Sequence, residues 1–157
     1  MIYDQFDTPV GTLTIAAEND ALCHIEFPCN RHPVFRAGWT AGSNTVLDDA
    51  RRQLLEYFAG ARRHFELPLH PRGTAFQMRV WQTLAEIEFG QTWSYKQLAQ
   101  ACGNGNAMRA VGAANGRNPL PIVLPCHRVI GADGSLTGFG GGIETKAALL
   151  RLEGALT

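Results

Sequence analysis

Pro125-Cys126-His127-Arg128 sets a thiol beside an imidazole and a guanidinium, within the apolar run from Ile122 to Ile130. A thiol reacts as its thiolate, and nearby cations favour that form, so the tetrapeptide suits a cysteine nucleophile held as thiolate in a mostly dry site. An isolated cysteine is more often inert packing. What tips the balance is the company around it. Lys146, Leu149, Leu150 and Glu153 recur at i, i+3, i+4 and i+7, which places two charges on the apolar stripe of a C-terminal helix. Two such charges either curl out to solvent or face an active site, because burial without a partner is costly.

The elements that must carry these residues fall into two groups. Residues 1 to about 28 read as strands: Ile2, Phe6 and Val10, then Leu13-Thr14-Ile15 after a Pro-Val-Gly turn signal, then Leu22 to Phe27. Residues 28–42 read as an irregular loop. Leu47, Leu54, Leu55 and Phe58 recur at helical spacing up to Gly60. Phe65 to Leu69 reads as one more strand. His70-Pro-Arg-Gly73 then punctuates the chain, giving an expected N-terminal α/β support domain over 1–70 and a mainly helical domain over 74–157.

In the second half, Thr74 and Gln77 form a capping box ahead of the stripe Phe76, Val80, Trp81, Leu84 and Ile87, with Gly90 expected to stop the helix. Ser94 and Gln97 form another, opening a short helix to about Ala101. After a glycine-bearing turn, Asn106 is expected to cap a helix over Ala107–Asn115, closed by Gly116. Two short helices so joined are a helix-turn-helix candidate, with a plain helical hairpin as the alternative. The second helix is dominated by small residues, which suits close approach to a groove or, alternatively, close helix packing. Arg109 near its start gains nothing from the helix dipole and is better explained by a ligand. The expected class is therefore α+β: a small N-terminal antiparallel sheet with a helix, followed by a helical domain with a helix-turn-helix.

Composition bounds the partners. With 45% hydrophobic and 18% charged residues the chain is ordinarily globular, and no apolar run reaches membrane-spanning length. The opening residues lack a secretory pattern, and the four cysteines are irregularly spaced, so a reducing, cytoplasmic setting is expected. Net charge is zero, yet from Phe89 to Ala132 there is no Asp or Glu, while Lys96, Arg109, Arg117 and Arg128 fall in that stretch. A local cationic face attracts phosphate more than the total charge suggests. The Thr137–Gly142 loop is rich in glycine but lacks the spacing of a nucleotide-phosphate loop.

Taken in order, Phe76-Gln77 with Val80-Trp81, Ser94-Tyr95, Arg109-Ala-Val-Gly112, Asn118-Pro119, Pro125-Cys-His-Arg-Val129, the Thr137–Gly142 loop and Lys146 with Leu149-Leu150 and Glu153 resemble the O6-alkylguanine-DNA alkyltransferase family. The resemblance is close over about 74–154 and general before it. It implies that Cys126 accepts an alkyl group from O6 of guanine, with O4 of thymine as a related lesion, in a single irreversible turnover on a flipped-out nucleotide. It implies that His127 takes the thiol proton through a water, that Glu153 orients His127, that Asn118 braces the turn and that Lys146 supports the site electrostatically. Tyr95, Phe139 and the backbone of Val129 and Gly140 would hold the guanine. Phe139 stands where many relatives carry Tyr. Arg109 would enter the duplex from a helix-turn-helix seated in the minor groove, with Ala107, Met108, Ala110, Gly112, Ala113, Ser94 and Lys96 also facing DNA. The implied partner is double-stranded DNA containing O6-alkylguanine, bound by a monomer without a cofactor. Some relatives carry zinc, but Cys23, His24, Cys29 and His32 lack the spacing of a structural site, and no metal is carried over.

Competing readings are a non-catalytic protein that binds alkylated DNA, a thiol hydrolase and a DNA-binding regulator. Alkylation of Cys126, ester turnover without DNA, and operator binding that survives Cys126→Ser would distinguish them.

Overall fold

The computed structural model describes all of residues 1–157. Its N-terminal half is a four-stranded sheet in the order β3-β2-β1-β4. Strands β1 (Ile2–Thr8), β2 (Gly11–Glu18) and β3 (Ala21–Glu26) form an antiparallel meander, with Phe6 opposite Leu13 and Ile15 opposite Ile25. The short strand β4 (Thr40–Ala41) pairs with β1 in parallel, so the sheet is mixed at one edge. Gly11 closes the first hairpin at φ +100°, where a Cβ would also stand 2.8 Å from Pro28. Helix α1 (Thr45–Phe58) is capped by Asn44, whose side chain accepts from Leu47 N–H, and it buries Leu47, Ala50, Leu54 and Tyr57. Leu55, expected on its apolar stripe, is exposed.

The run from Phe65 to Leu69 does not form the expected strand. Pro68 has no N–H to donate, and pairing shrinks to a single parallel bridge between Leu22 and Leu69. The backbone bonds Leu22 N–H to Pro68 O and His70 N–H to Leu22 O flank it.

The C-terminal half is built on α2 (Ala75–Leu84), α3 (Tyr95–Ala101), α4 (Met108–Gly116) and α5 (Ile143–Leu152), with strands β5 (Trp93–Ser94) and β6 (Val129–Ile130) pairing in parallel. Both capping boxes form, at Thr74 with Gln77 and at Ser94 with Gln97. Helix α2 stops at Leu84, ahead of the expected Gly90, and its end tightens into i to i+3 bonds such as Ile87 N–H to Leu84 O. Asn106 does not cap α4. Ala107 holds that position at φ −102° and ψ 36°, outside the extended region from which a side chain caps, and no side-chain bond forms there.

One apolar cluster runs through both halves, joining Leu13, Ile25, Leu54 and Tyr57 to Trp81, Leu98, Val129 and Leu149. The sheet docks through β3, whose Ile25 N–H donates to Pro119 O. That contact puts the sheet edge beside the segment leading to Cys126. No helix is long and apolar enough to cross a membrane.

Candidate functional site

Cys126, His127 and Arg128 form a single 3-10 turn between Pro125 and β6. The approach to it is strained: Ile122, β-branched and buried, sits at φ +74°. Asn118 holds both ends of that bend. Its Nδ2 donates to Leu124 O at 2.7 Å, and its Oδ1 accepts from Leu120 N–H at 2.9 Å. Asn115 adds a longer bond to Cys126 O at 3.4 Å.

The turn places the three side chains differently. Cys126 is almost fully buried at the floor of a slot lined by Phe27, Asn30, Asn115, Asn118 and Phe139. The slot encloses about 20 Å³, room for one water. Burial pushes the thiol up to about 11, although an Asn118 hydrogen bond and the charge of Lys146 pull the other way. The resting sulfur is therefore protonated, which corrects the expectation of a standing thiolate: desolvation outweighs the neighbouring cations.

His127 is wholly buried, with Nε2 2.7 Å from Glu153 Oε2. Burial lowers its imidazole below the ordinary value against the opposing pull of Glu153. A neutral ring that donates from Nε2 keeps a lone pair on Nδ1, and Nδ1 is buried with no hydrogen-bond partner. This ring is a base with its accepting nitrogen free.

Glu153 caps the end of α5. Burial raises its carboxyl, but bonds from His127, Arg128 and Tyr57 prevail and bring it down to about 2. Arg128 grips it with Nε on Oε1 at 2.8 Å and Nη2 on Oε2 at 3.0 Å, and spends Nη1 on Ile87 O at 2.6 Å. Arg128 therefore neutralises the carboxylate, which lets His127 stay uncharged. Tyr57 Oη donates to Oε2 at 2.6 Å.

Lys146 also lies inside, donating to Val129 O at 2.5 Å and Thr137 O at 2.9 Å. Burial brings its ammonium down to about 8; a Cys126 thiolate, once formed, pulls the other way. The two charges on the α5 stripe are thus both buried and both partnered, in separate sets. Tyr95 Oη donates to the same Thr137 carbonyl at 3.1 Å. Lys146 and Tyr95 together tether the start of the glycine loop to the floor of the site. Beyond them Phe139 packs on Phe27 with centroids 5.5 Å apart, and Arg31 N–H donates to Gly140 O at 2.7 Å. At Gly141 a Cβ would stand 2.5 Å from Phe27, so the loop lies flat on that ring.

The proposed DNA-facing residues on α3 and α4 differ in exposure. Met108, Arg109, Ala110, Ala113 and Lys96 are exposed, while Ala107 and Ser94 are partly covered and Gly112 lies against the Tyr95 ring. The opposite face of α4 does the packing: Val111 and Ala114 are buried, and Ala114 O accepts from Trp81 Nε1 at 2.8 Å. The outward small residues are therefore not consumed by helix packing. No cluster of three or more His, Cys, Asp or Glu is placed to hold a metal ion.

Sequence reasoning gave no role to Tyr57 or Asn115. It counted Arg128 as a cation beside the thiol and in a phosphate-attracting stretch, whereas the side chain is buried and bound to Glu153 and Ile87 O. Tyr57 carried no local signal, since it lies 96 residues from its partner.

Two family models cover the chain. One described as the DNA binding domain of 6-O-methylguanine DNA methyltransferase matches residues 75–155, and one described as its ribonuclease-like domain matches residues 1–71. A methylated-DNA–protein-cysteine methyltransferase of Methanosarcina acetivorans is 41% identical over 155 residues, covering 99% of each chain. The Mycobacterium tuberculosis protein of the same name is 46% identical over 151 residues, covering 96% of this chain and 91% of that one. The crystal structure of Mycobacterium tuberculosis OGT in complex with DNA superposes with a TM-score of 0.94 at 44% identity, covering 99% of this chain and 94% of that one.

Proposed function

The chain belongs to the 6-O-methylguanine DNA methyltransferase family, and from that premise we propose that it repairs double-stranded DNA by moving an alkyl group from O6 of guanine onto Cys126. The observation that carries the reading is the pairing of a buried Cys126 with a neutral His127 whose Nδ1 is free and whose Nε2 is held by Glu153.

The steps follow from that geometry. Inside a stacked duplex the alkyl carbon cannot reach Cys126, so the nucleotide is flipped out at a cost of about a few kcal/mol. Arg109, exposed near the start of α4, occupies the vacated space. The water-sized slot must widen to admit a purine; Phe139, Gly140 and Gly141 of the glycine loop form one of its walls. The proton on Cys126 Sγ passes through a water to His127 Nδ1 as the sulfur attacks the carbon. The C–O6 bond breaks, and its electron pair leaves with guanine. Tyr95, freed from Thr137 O, donates to the departing base, while Phe139 and the backbone of Val129 and Gly140 hold its ring and edge. Lys146 keeps a positive charge near the sulfur as the thiolate develops. Phosphate contacts from the acid-free stretch supply affinity without sequence preference.

The product is a thioether, which offers water no carbonyl to attack, so each molecule acts once. Residues 1–70 serve as the supporting unit and 74–157 as the reacting one. A cytoplasmic, DNA-associated location belongs to the same proposal and fits four cysteines that are all free.

The deciding experiment is mass measurement of the protein after incubation with O6-methylguanine duplex and with matched unmodified duplex. A gain of one methylene mapped to Cys126, with methylated DNA only and at most one per molecule, is expected. No mass gain, or repeated turnover from one equivalent of protein, overturns the reading.

A further inference from the structure

Glu153 Oε2 is crowded in a way that charge balance does not require. Arg128 already neutralises the carboxylate with two bonds. Even so, Oε2 also takes the Tyr57 hydroxyl at 2.6 Å beside His127 Nε2 at 2.7 Å. Tyr57 is not free to choose another partner. Its ring is buried and wedged among Phe58, Phe65 and Phe89, with centroids 5.3, 5.7 and 6.3 Å away. It comes from α1, in the half of the chain that holds no other member of the Cys126–His127–Glu153 set.

We propose that Tyr57 is a positioning residue for alkyl transfer, whose hydroxyl competes with His127 for Glu153 Oε2 and thereby keeps the imidazole a ready acceptor of the Cys126 proton. The proposal rests on the reading of Cys126 as the alkyl acceptor.

The physical sense has a definite sign. Donors that share one carboxylate oxygen each draw on its negative charge, so each weakens the other's bond. With Tyr57 in place, Glu153 stabilises an imidazolium less than it otherwise would. Burial and the adjacent carboxylate keep the phenol protonated, well above its ordinary range. The other groups acting on His127 are Glu153, Arg128 and Lys146, together with its neighbour Cys126. The two cations push in the same direction as Tyr57, and replacing Tyr57 by Phe leaves both in place. Removing the hydroxyl therefore moves the imidazole back up toward its ordinary value.

Tyr57→Phe keeps the ring and its aromatic contacts and removes only the donor. Single-turnover transfer from O6-methylguanine duplex is followed against pH for wild type and variant, and the His127 ring nitrogens are titrated by NMR in the DNA-free proteins. The expected result is that the His127 midpoint and the acid limb of the rate profile both move to higher pH. Well below the variant's His127 midpoint the rate falls by up to roughly tenfold, the lower end of what one hydrogen bond to a charged group is worth, while above neutrality, where the ring is neutral in both proteins, it changes little. A rate lowered equally at every pH with an unmoved His127 titration makes Tyr57 a packing residue and overturns the proposal. Unchanged rate and titration overturn it as well. Failure of the wild-type protein to transfer any alkyl group sinks the functional reading instead, so the two failures are separable.

Discussion

At Cys126 burial and charge pull in opposite directions, and burial wins, leaving a thiol near 11 until the reaction draws its proton away. In the proposed mechanism chemistry therefore depends on His127 and on the carboxylate that holds it. Cys126→Ala is expected to abolish transfer while leaving duplex affinity nearly unchanged, because the sulfur lies in the slot and not on the exposed face of α4; a binding titration with unmodified duplex checks this. Glu153 carries a stability signature of its own. Its folded value near 2 lies below the ordinary glutamate value of about 4.3. The stabilisation is therefore complete above that ordinary value and is lost as pH falls toward 2. Glu153→Gln strands Arg128 in the interior, which is expected to cost about 3–5 kcal/mol near neutrality. The gap to wild type should narrow steadily as denaturant unfolding is repeated at lower pH.

Among the elements, the bend from Leu120 to Leu124 and the helix pair α3–α4 make separate predictions. Asn118 is the clamp that keeps Ile122 at positive φ. Asn118→Ala removes two hydrogen bonds and is expected to destabilise by roughly 2 kcal/mol, about 1 per bond, and to slow transfer by letting the turn relax. Urea unfolding and single-turnover rates measure the two effects. Arg109 is exposed on the outward face of α4. Arg109→Ala should leave stability within about 0.5 kcal/mol and still slow transfer; equal transfer rates for variant and wild type would remove its role in the duplex. How legible these elements are in the sequence follows how local their causes are. Thr74 with Gln77 and Ser94 with Gln97 are three residues apart, and both boxes read correctly. Asn106 misled because a cap depends on backbone angles that residue type alone does not set. Phe65–Leu69 misled because its apolar run is used to cover the core, while Pro68 denies it a ladder.

For the whole molecule, the same contrast decides what could be read in advance. The Pro125–Arg128 motif and the spacing of Lys146 and Glu153 pointed to the candidate site around Cys126, since each signal is local in the chain. The tie between Tyr57 and Glu153 crosses from one half to the other, and nothing in either stretch marks it. The apolar cluster that spans both halves has a thermodynamic consequence: heat or denaturant should unfold them in one transition, with fluorescence and circular dichroism changing together. Affinity for unmodified duplex should fall linearly on a log–log plot as salt rises and should vary little with sequence. Finally, a protein spent in one event must keep its sulfur fit for that event. Peroxide and small electrophiles attack thiolates, so a desolvated, protonated Cys126 behind a water-wide opening is sheltered from them, whereas Cys29 on the surface is not. The tightness that hinders entry of a base thus doubles as storage, holding the reagent unoxidised through the long wait between lesions.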